Sequence, residues 1–138
     1  MTSRTEDLLA IRPNISSAKI YDTIGSEELF QNKTIRPIVK LQHDLLIVVF
    51  KNYITKHKNV FYELSLEKQL AYIDNTIHKD TKFRNAVKGM LIGQFTVEEY
   101  ALYIQNSSSL NKRVMYAILP VLSMITLRVT PAPFAAKE

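Results

Sequence analysis

The chain has 138 residues, of which 46% are hydrophobic and 22% charged, with a net charge of +5 and no cysteine. This size and balance suit one folded domain with a sizeable core, not a disordered chain. The missing cysteine excludes disulfides, thiolate catalysis and cysteine-ligated zinc, and fits a reducing compartment.

The start, MTSRTEDLLAI, places acids beside a very short apolar run and does not read as a secretory signal. Thr2 or Ser3 is positioned to cap a short helix through Leu8 and Leu9 that stops at Arg12-Pro13. Beyond it, Ile15, Ile20, Tyr21 and Ile24 are scattered without a period, so residues 1–25 read as an arm pinned to the domain or to a partner. Residues 26–130 read as the helical domain and 131–138 (PAPFAAKE) as a mobile tail.

Ser26 reads as an N-cap, with Glu27 and Glu28 in the first turn where the helix dipole favours them. Thr34 is a candidate cap for the next helix, with Pro37 in its first turn; a helix running through from Ser26 and kinked at Pro37 is the alternative, and a break or bend is expected here. Residues 35–58, IRPIVKLQHDLLIVVFKNYITKHK, carry a narrow polar stripe of Lys40, Asp44, Lys51, Thr55 and Lys58 on an otherwise largely apolar surface. A helix of that kind is expected at the centre of the domain, surrounded by the others.

Asn59 ends that run. Ser65 caps a helix whose Leu66, Leu70, Ile73 and Ile77 recur at amphipathic spacing. Asp80 or Thr81 opens another with Phe83, Val87, Met90 and Leu91 inward, closing at Gly93. Thr96-Val97-Glu98-Glu99 fits a capping box, and the helix behind it is expected to bury Tyr100, Tyr103 or Ile104. The last helix, about 110–128, has an inner stripe of Leu110, Val114, Ala117, Ile118, Val121 and Ile125, with Pro120 in its interior. The expectation is an all-α bundle of about six helices around a central buried helix.

The longest uncharged apolar segment, 114–127, is shorter than the roughly 20 residues a membrane span needs, so a soluble, cytoplasmic protein is expected. The basic excess is uneven. Residues 35–60 carry five basic and one acidic side chain, and 107–138 carry four and one. If the two segments adjoin in space they form a patch that attracts anions; a solvated lysine face is the plainer reading.

Candidate chemistry is sparse. His43 and His57 lie four turns apart on one helix side, about 21 Å, too far for one metal. No His-x-x-x-His or His-Glu-x-x-His spacing occurs. His43 and Asp44, as helix neighbours, point about 100° apart and are not expected to pair. No serine sits in a Gly-x-Ser-x-Gly context, and the glycines form no phosphate loop. Gln42 and Asn52 interrupt the apolar surface and, with His43, could line an interior polar pocket; satisfied interior amides are the plainer reading. No metal or cofactor is expected.

Two surfaces remain. Lys51, Lys56, Lys58, Lys82, Arg84 and Lys88, interleaved with Phe50, Tyr53, Phe61 and Tyr62, could contact RNA by phosphate pairing and stacking. Met115, Tyr116, Leu119, Leu122 and Leu127 form a second apolar strip on the last helix, away from its inner stripe, that fits a protein partner or a second copy; burial within the monomer is the competing account.

In QNKTIRPIVKLQHDLLIVVFKNYITKHKNVFYELSLEKQLAYI, HKDTKFRNAVKGMLIGQFTVEEY and NSSSLNKR, roughly residues 1–115 resemble a family of short all-helical bacterial proteins without an assigned role, sometimes labelled glyoxalase. The resemblance implies a helical fold and no activity. Glyoxalases of the common fold are βαβββ metalloenzymes with His and Glu ligands on strands, and this sequence has neither feature. The leading expectation is a non-catalytic interaction or scaffold protein within a larger assembly. An RNA- or ribosome-associated protein comes second, and a small-ligand binder or enzyme third.

Overall fold

The computed structural model describes residues 3–15 and 25–126. Among them every regular element is helical and no strand occurs. The all-α bundle expected from the sequence is the fold. The tail at 131–138, the apolar residues Ile20, Tyr21 and Ile24, and Leu127 lie outside the described residues.

The first helix, α1 (Arg4–Ile11), is opened by a capping box. The Ser3 hydroxyl accepts the Glu6 N–H, and the Glu6 carboxylate accepts the Ser3 N–H at 2.8 Å. It stops at Arg12, whose ψ of 125° is the extended conformation that a following proline enforces.

From residue 26 the backbone stays helical to residue 41. The segments are α2 (Ser26–Phe30), a π-helical stretch (Gln31–Ile35) and α3 (Arg36–Leu41). Ser26 is thus not the cap; Gly25 holds that place. Nor does Thr34 cap a new helix, because its hydroxyl donates to Glu99 at 2.8 Å. The expected break at Pro37 is absent. The wide turn, in which the Arg36 N–H reaches the Gln31 carbonyl, relaxes the ladder where the proline ring meets the preceding turn. The chain breaks instead at Gln42 (φ −91°, ψ 5°), whose side-chain amide donates to the Met90 carbonyl at 2.9 Å.

That break divides the apolar run. In α4 (His43–Lys56) only Leu46, Phe50 and Ile54 are buried, one side of the helix, while Leu45 and Val48 are exposed. The helix is therefore not enclosed all round, as its composition suggested. Lys58 and Asn59 both take left-handed conformations (φ 65° and 59°), which reverse the chain into a 3₁₀ turn (Val60–Glu63) and drop Phe61 into the core.

The next helices follow their local signals. Ser65 caps α5 (Leu66–Lys79), the Asp80 carboxylate caps α6 (Thr81–Ile92), and Thr96 with Glu99 closes the capping box of α7 (Val97–Tyr103). Gly93 ends α6 in an ordinary right-handed conformation (φ −61°). The last helix, α8 (Ser107–Leu122), starts three residues before the expected Leu110. Two residues past Pro120 it tightens into a 3₁₀ turn (Ser123–Ile125).

The element around which the others gather is α8. It buries Leu110, Val114, Met115, Ile118, Val121 and Leu122, and it packs on α3, α4, α5, α6 and the π-helical stretch. Its N-terminus is tied to α2 through Glu27. That carboxylate accepts Ser109 Oγ at 2.5 Å and the Asn106 amide, and lies 3.5 Å from Arg113 Nε. These partners, the Ser109 bond foremost, hold the Glu27 carboxyl below its usual range. On the opposite side Phe50 centres an aromatic cluster, with Phe61, Phe83 and Tyr72 at centroid distances of 5.8, 5.9 and 6.3 Å.

Candidate functional site

Among the described residues no helix is long and apolar enough to cross a membrane, and no three metal-ligating side chains converge. The feature that departs most from ordinary packing is α7, and its cause lies in the N-terminal arm.

Glu99 is a hub. Its carboxylate accepts both Arg12 Nη1 and Nη2 at 2.6 and 2.9 Å, Thr34 Oγ1 at 2.8 Å and the Thr96 N–H at 2.9 Å. The Arg12 and Glu99 side chains are only 7% and 15% exposed. Burial by itself pushes the Glu99 carboxyl up, but the bonds from Arg12, the Thr96 N–H and Thr34 outweigh it and hold the group below its usual 4.5. Arg12 also donates to the Gln94 carbonyl at 3.0 Å, and Arg4 to the Phe95 and Gly93 carbonyls at 2.7 and 3.0 Å. The arm therefore closes the α6–α7 connection by charged donors, although α1 buries no residue of its own.

Because Glu99 binds its proton less readily folded than unfolded, its contribution to stability is complete above about pH 4.5 and fades as pH falls through the lower folded value. We expect an acid limb in unfolding free energy below that pH. The Glu99→Gln variant should flatten part of it, leaving the parts owed to Glu27 and Asp80, whose carboxyls are also lowered. Unfolding titrations in denaturant across this range measure it; an identical acid limb in wild type and variant would contradict the assignment.

Capture of Glu99 fixes the rotation of α7. Tyr103 turns inward with it, its ring 5.6 Å from Phe95 and its hydroxyl donating to Asn111 Oδ1 at 2.5 Å. The stripe at i, i+3, i+4 and i+7 (Val97, Tyr100, Ala101, Ile104) then faces solvent. Val97, Tyr100 and Ile104 are 67%, 47% and 56% exposed. The helix is inverted, with its carboxylate inside and its apolar stripe outside. Of the three alternatives for burial here, Tyr103 is the one the core takes. Around the helix from the stripe, on the side of Glu99, a groove of about 320 Å³ lies between α2 and α7, lined by Leu29, Phe30, Leu110 and the exposed Leu102.

The strip expected on α8 does not form a free face. Among its described members, Met115 and Leu122 are core residues, Leu119 packs half-buried against that core, and only Tyr116 stands out, 77% exposed. A helix surrounded on several sides uses both of its apolar stripes internally.

The six basic residues lie on α4 and the turn after it and on α6. Lys51 is half-buried on α4, Lys56 and Lys58 are exposed at its end, and Lys82 is exposed at the start of α6. Arg84 and Lys88 line a cleft shared with α5 and α8. Two residues apart on a helix, Lys82 and Arg84 point about 200° from one another, so α6 does not present them on one surface.

The interior pocket that Gln42, His43 and Asn52 offered as an alternative is not assembled. Gln42 is satisfied by the Met90 carbonyl, and Asn52 is exposed. His43 Nδ1 does lie 3.0 Å from Asp44 Oδ1, against the expectation that neighbours diverge. Both sit in the first turn of α4, and the Asp44 side chain is fully exposed. His57 stacks on Tyr53 with ring centroids 4.0 Å apart and His78 caps the Asp74 carbonyl at 2.9 Å, both structural roles. The Tyr53 hydroxyl is pushed up to about 12 by burial and by its bond to Asp80.

The Arg12–Glu99 pair and the outward stripe were the features sequence reasoning missed. The stripe's spacing is legible in the sequence; its direction is not. Comparison with protein-family models, with curated proteins and with solved structures gave no match.

Proposed function

We propose that the protein is a non-catalytic interaction protein that docks through α7 onto a protein partner within a larger assembly. The observation that carries this reading is the inversion of α7. A buried ion-paired carboxylate holds three large apolar side chains out in water, an arrangement that gains stability only when another surface covers them. The polar groups that catalysis would draw on, Glu99, Asp80 and Gln69, are engaged in structural hydrogen bonds. An RNA- or ribosome-associated role through the six basic residues is disfavoured by the roughly 200° between Lys82 and Arg84 on α6, which keeps the six from sharing one face.

The variant Ile104→Asp tests the reading. Ile104 is half exposed, so the unfolding free energy should change by no more than about 0.5 kcal/mol. Its tagged form should lose the partner, or the second copy, that the wild type retains through gel filtration. A wild type that runs as a monomer and holds no partner through purification from its own cell would overturn the proposal, as would a variant that keeps the partner.

A further inference from the structure

The cleft between the last turn of α5, α6 and α8, about 610 Å³ in volume, is distinct from the α7 face. Three cations line it: Arg84 and Lys88 on α6 and Lys112 on α8. Arg84 and Lys88 stand at i and i+4, so their charges repel, and among the described residues no carboxylate pairs with Lys88 or Lys112. The one acid in the cleft, Asp74, lies 3.3 Å from His78 Nδ1. Arg84 is steadied by donating Nη1 to the His78 carbonyl at 3.2 Å, which leaves the other face of its guanidinium for a ligand. Unneutralised charges held together around a concavity lower the free energy of a bound anion and raise its local concentration.

The same wall of α8 changes character along its length. Lys112 marks the cationic end; Met115, Tyr116 and Leu119, on the same side of the helix, supply an apolar and aromatic end. From Lys112 to Leu119 the rise is about 10 Å, the span of a mononucleotide from phosphate to base. The exposed Tyr116 ring has a face open for stacking.

We propose that this cleft binds a nucleoside monophosphate, free or as the 5′ end of a single strand, with the phosphate on Arg84, Lys88 and Lys112 and the base laid against Tyr116 and Leu119. The site does not depend on the α7 docking reading, and Ile104→Asp should leave it intact.

Calorimetric titration of the full chain with AMP, adenosine, inorganic phosphate and a short 5′-phosphorylated oligonucleotide tests it. AMP should bind saturably and weaken between roughly 50 and 200 mM salt, as phosphate contacts require. The double variant Lys88→Gln/Lys112→Gln, both at the surface, should lose about tenfold in affinity, and a control pair Lys56→Gln/Lys58→Gln should lose nothing. Tyr116→Ala should weaken AMP about fivefold or more while leaving inorganic phosphate unchanged. An oligonucleotide that binds tighter than AMP with the same variant dependence identifies the strand end as the source. Binding lost equally in the control pair, indifferent to Tyr116, or absent for every probe overturns the proposal.

Discussion

Replacing Phe50 with alanine is expected to remove about 4 kcal/mol of stability, the middle of the range for deleting a buried aromatic ring. Phe50 has no exposed surface, and its ring lies against four others, three of them on other elements. Phe61 approaches edge-on at 5.8 Å from the 3₁₀ turn, Phe83 at 5.9 Å from α6, Tyr72 at 6.3 Å from α5 and Tyr53 at 6.0 Å along α4 itself. Removing it leaves a cavity whose walls are held by separate helices and cannot collapse together. A domain of this size is stable by about 5–15 kcal/mol, so the variant should sit close to its unfolding threshold. Denaturant unfolding with an unchanged slope and a lowered midpoint is the expected signature. A loss below about 1 kcal/mol would mean that the aromatic cluster is not the packing centre described.

The second large effect is expected at Glu99. Glu99→Ala strands the Arg12 guanidinium, 7% exposed, among carbonyls and removes the acceptor for Thr34 and for the Thr96 N–H. Breaking one side of a fully buried pair costs about 3–5 kcal/mol, mostly through the uncompensated charge; this pair is part-buried, so about 2–3 kcal/mol is expected. The loss should be largely coupled to Arg12. In a double-mutant cycle with Arg12→Met, the second substitution should cost far less in the Glu99→Ala background than in wild type. Amide exchange should also accelerate in α1, which buries no residue and is held by Arg4 and Arg12. Additive losses and an unchanged α1 would refute the latch.

The legible parts of the fold were those set by local chemistry. Ser3, Ser65, Asp80 and Thr96 each cap the helix that follows by accepting an N–H three residues on, a signal contained in four consecutive letters. The inner stripe of α8 was likewise readable, because helical period depends on nothing distant. What could not be read depends on partners far along the chain. Arg12 lies 87 residues from Glu99, and without that bond nothing in VEEYALYI says whether Tyr100 and Ile104 or Glu99 and Tyr103 turn inward. Pro37 suggested a break that a π-helical stretch removes, while the real break at Gln42 is marked by no proline or glycine. Lys112 joins Arg84 and Lys88 only because α8 packs across α5 and α6, so the basic cleft was divided between two segments of the sequence.

The central claim is that the outward stripe of α7 is a covered surface in the working protein. Its most direct test is site-specific photo-crosslinking in the native cell, with a photoreactive phenylalanine analogue at Ala101, in the middle of the stripe, and at Glu67, exposed on α5, as the reference. The account predicts one discrete, abundant adduct from position 101 that is absent from position 67 and is lost when Ile104→Asp is added. No adduct at 101, or the same diffuse pattern from both positions, would contradict it.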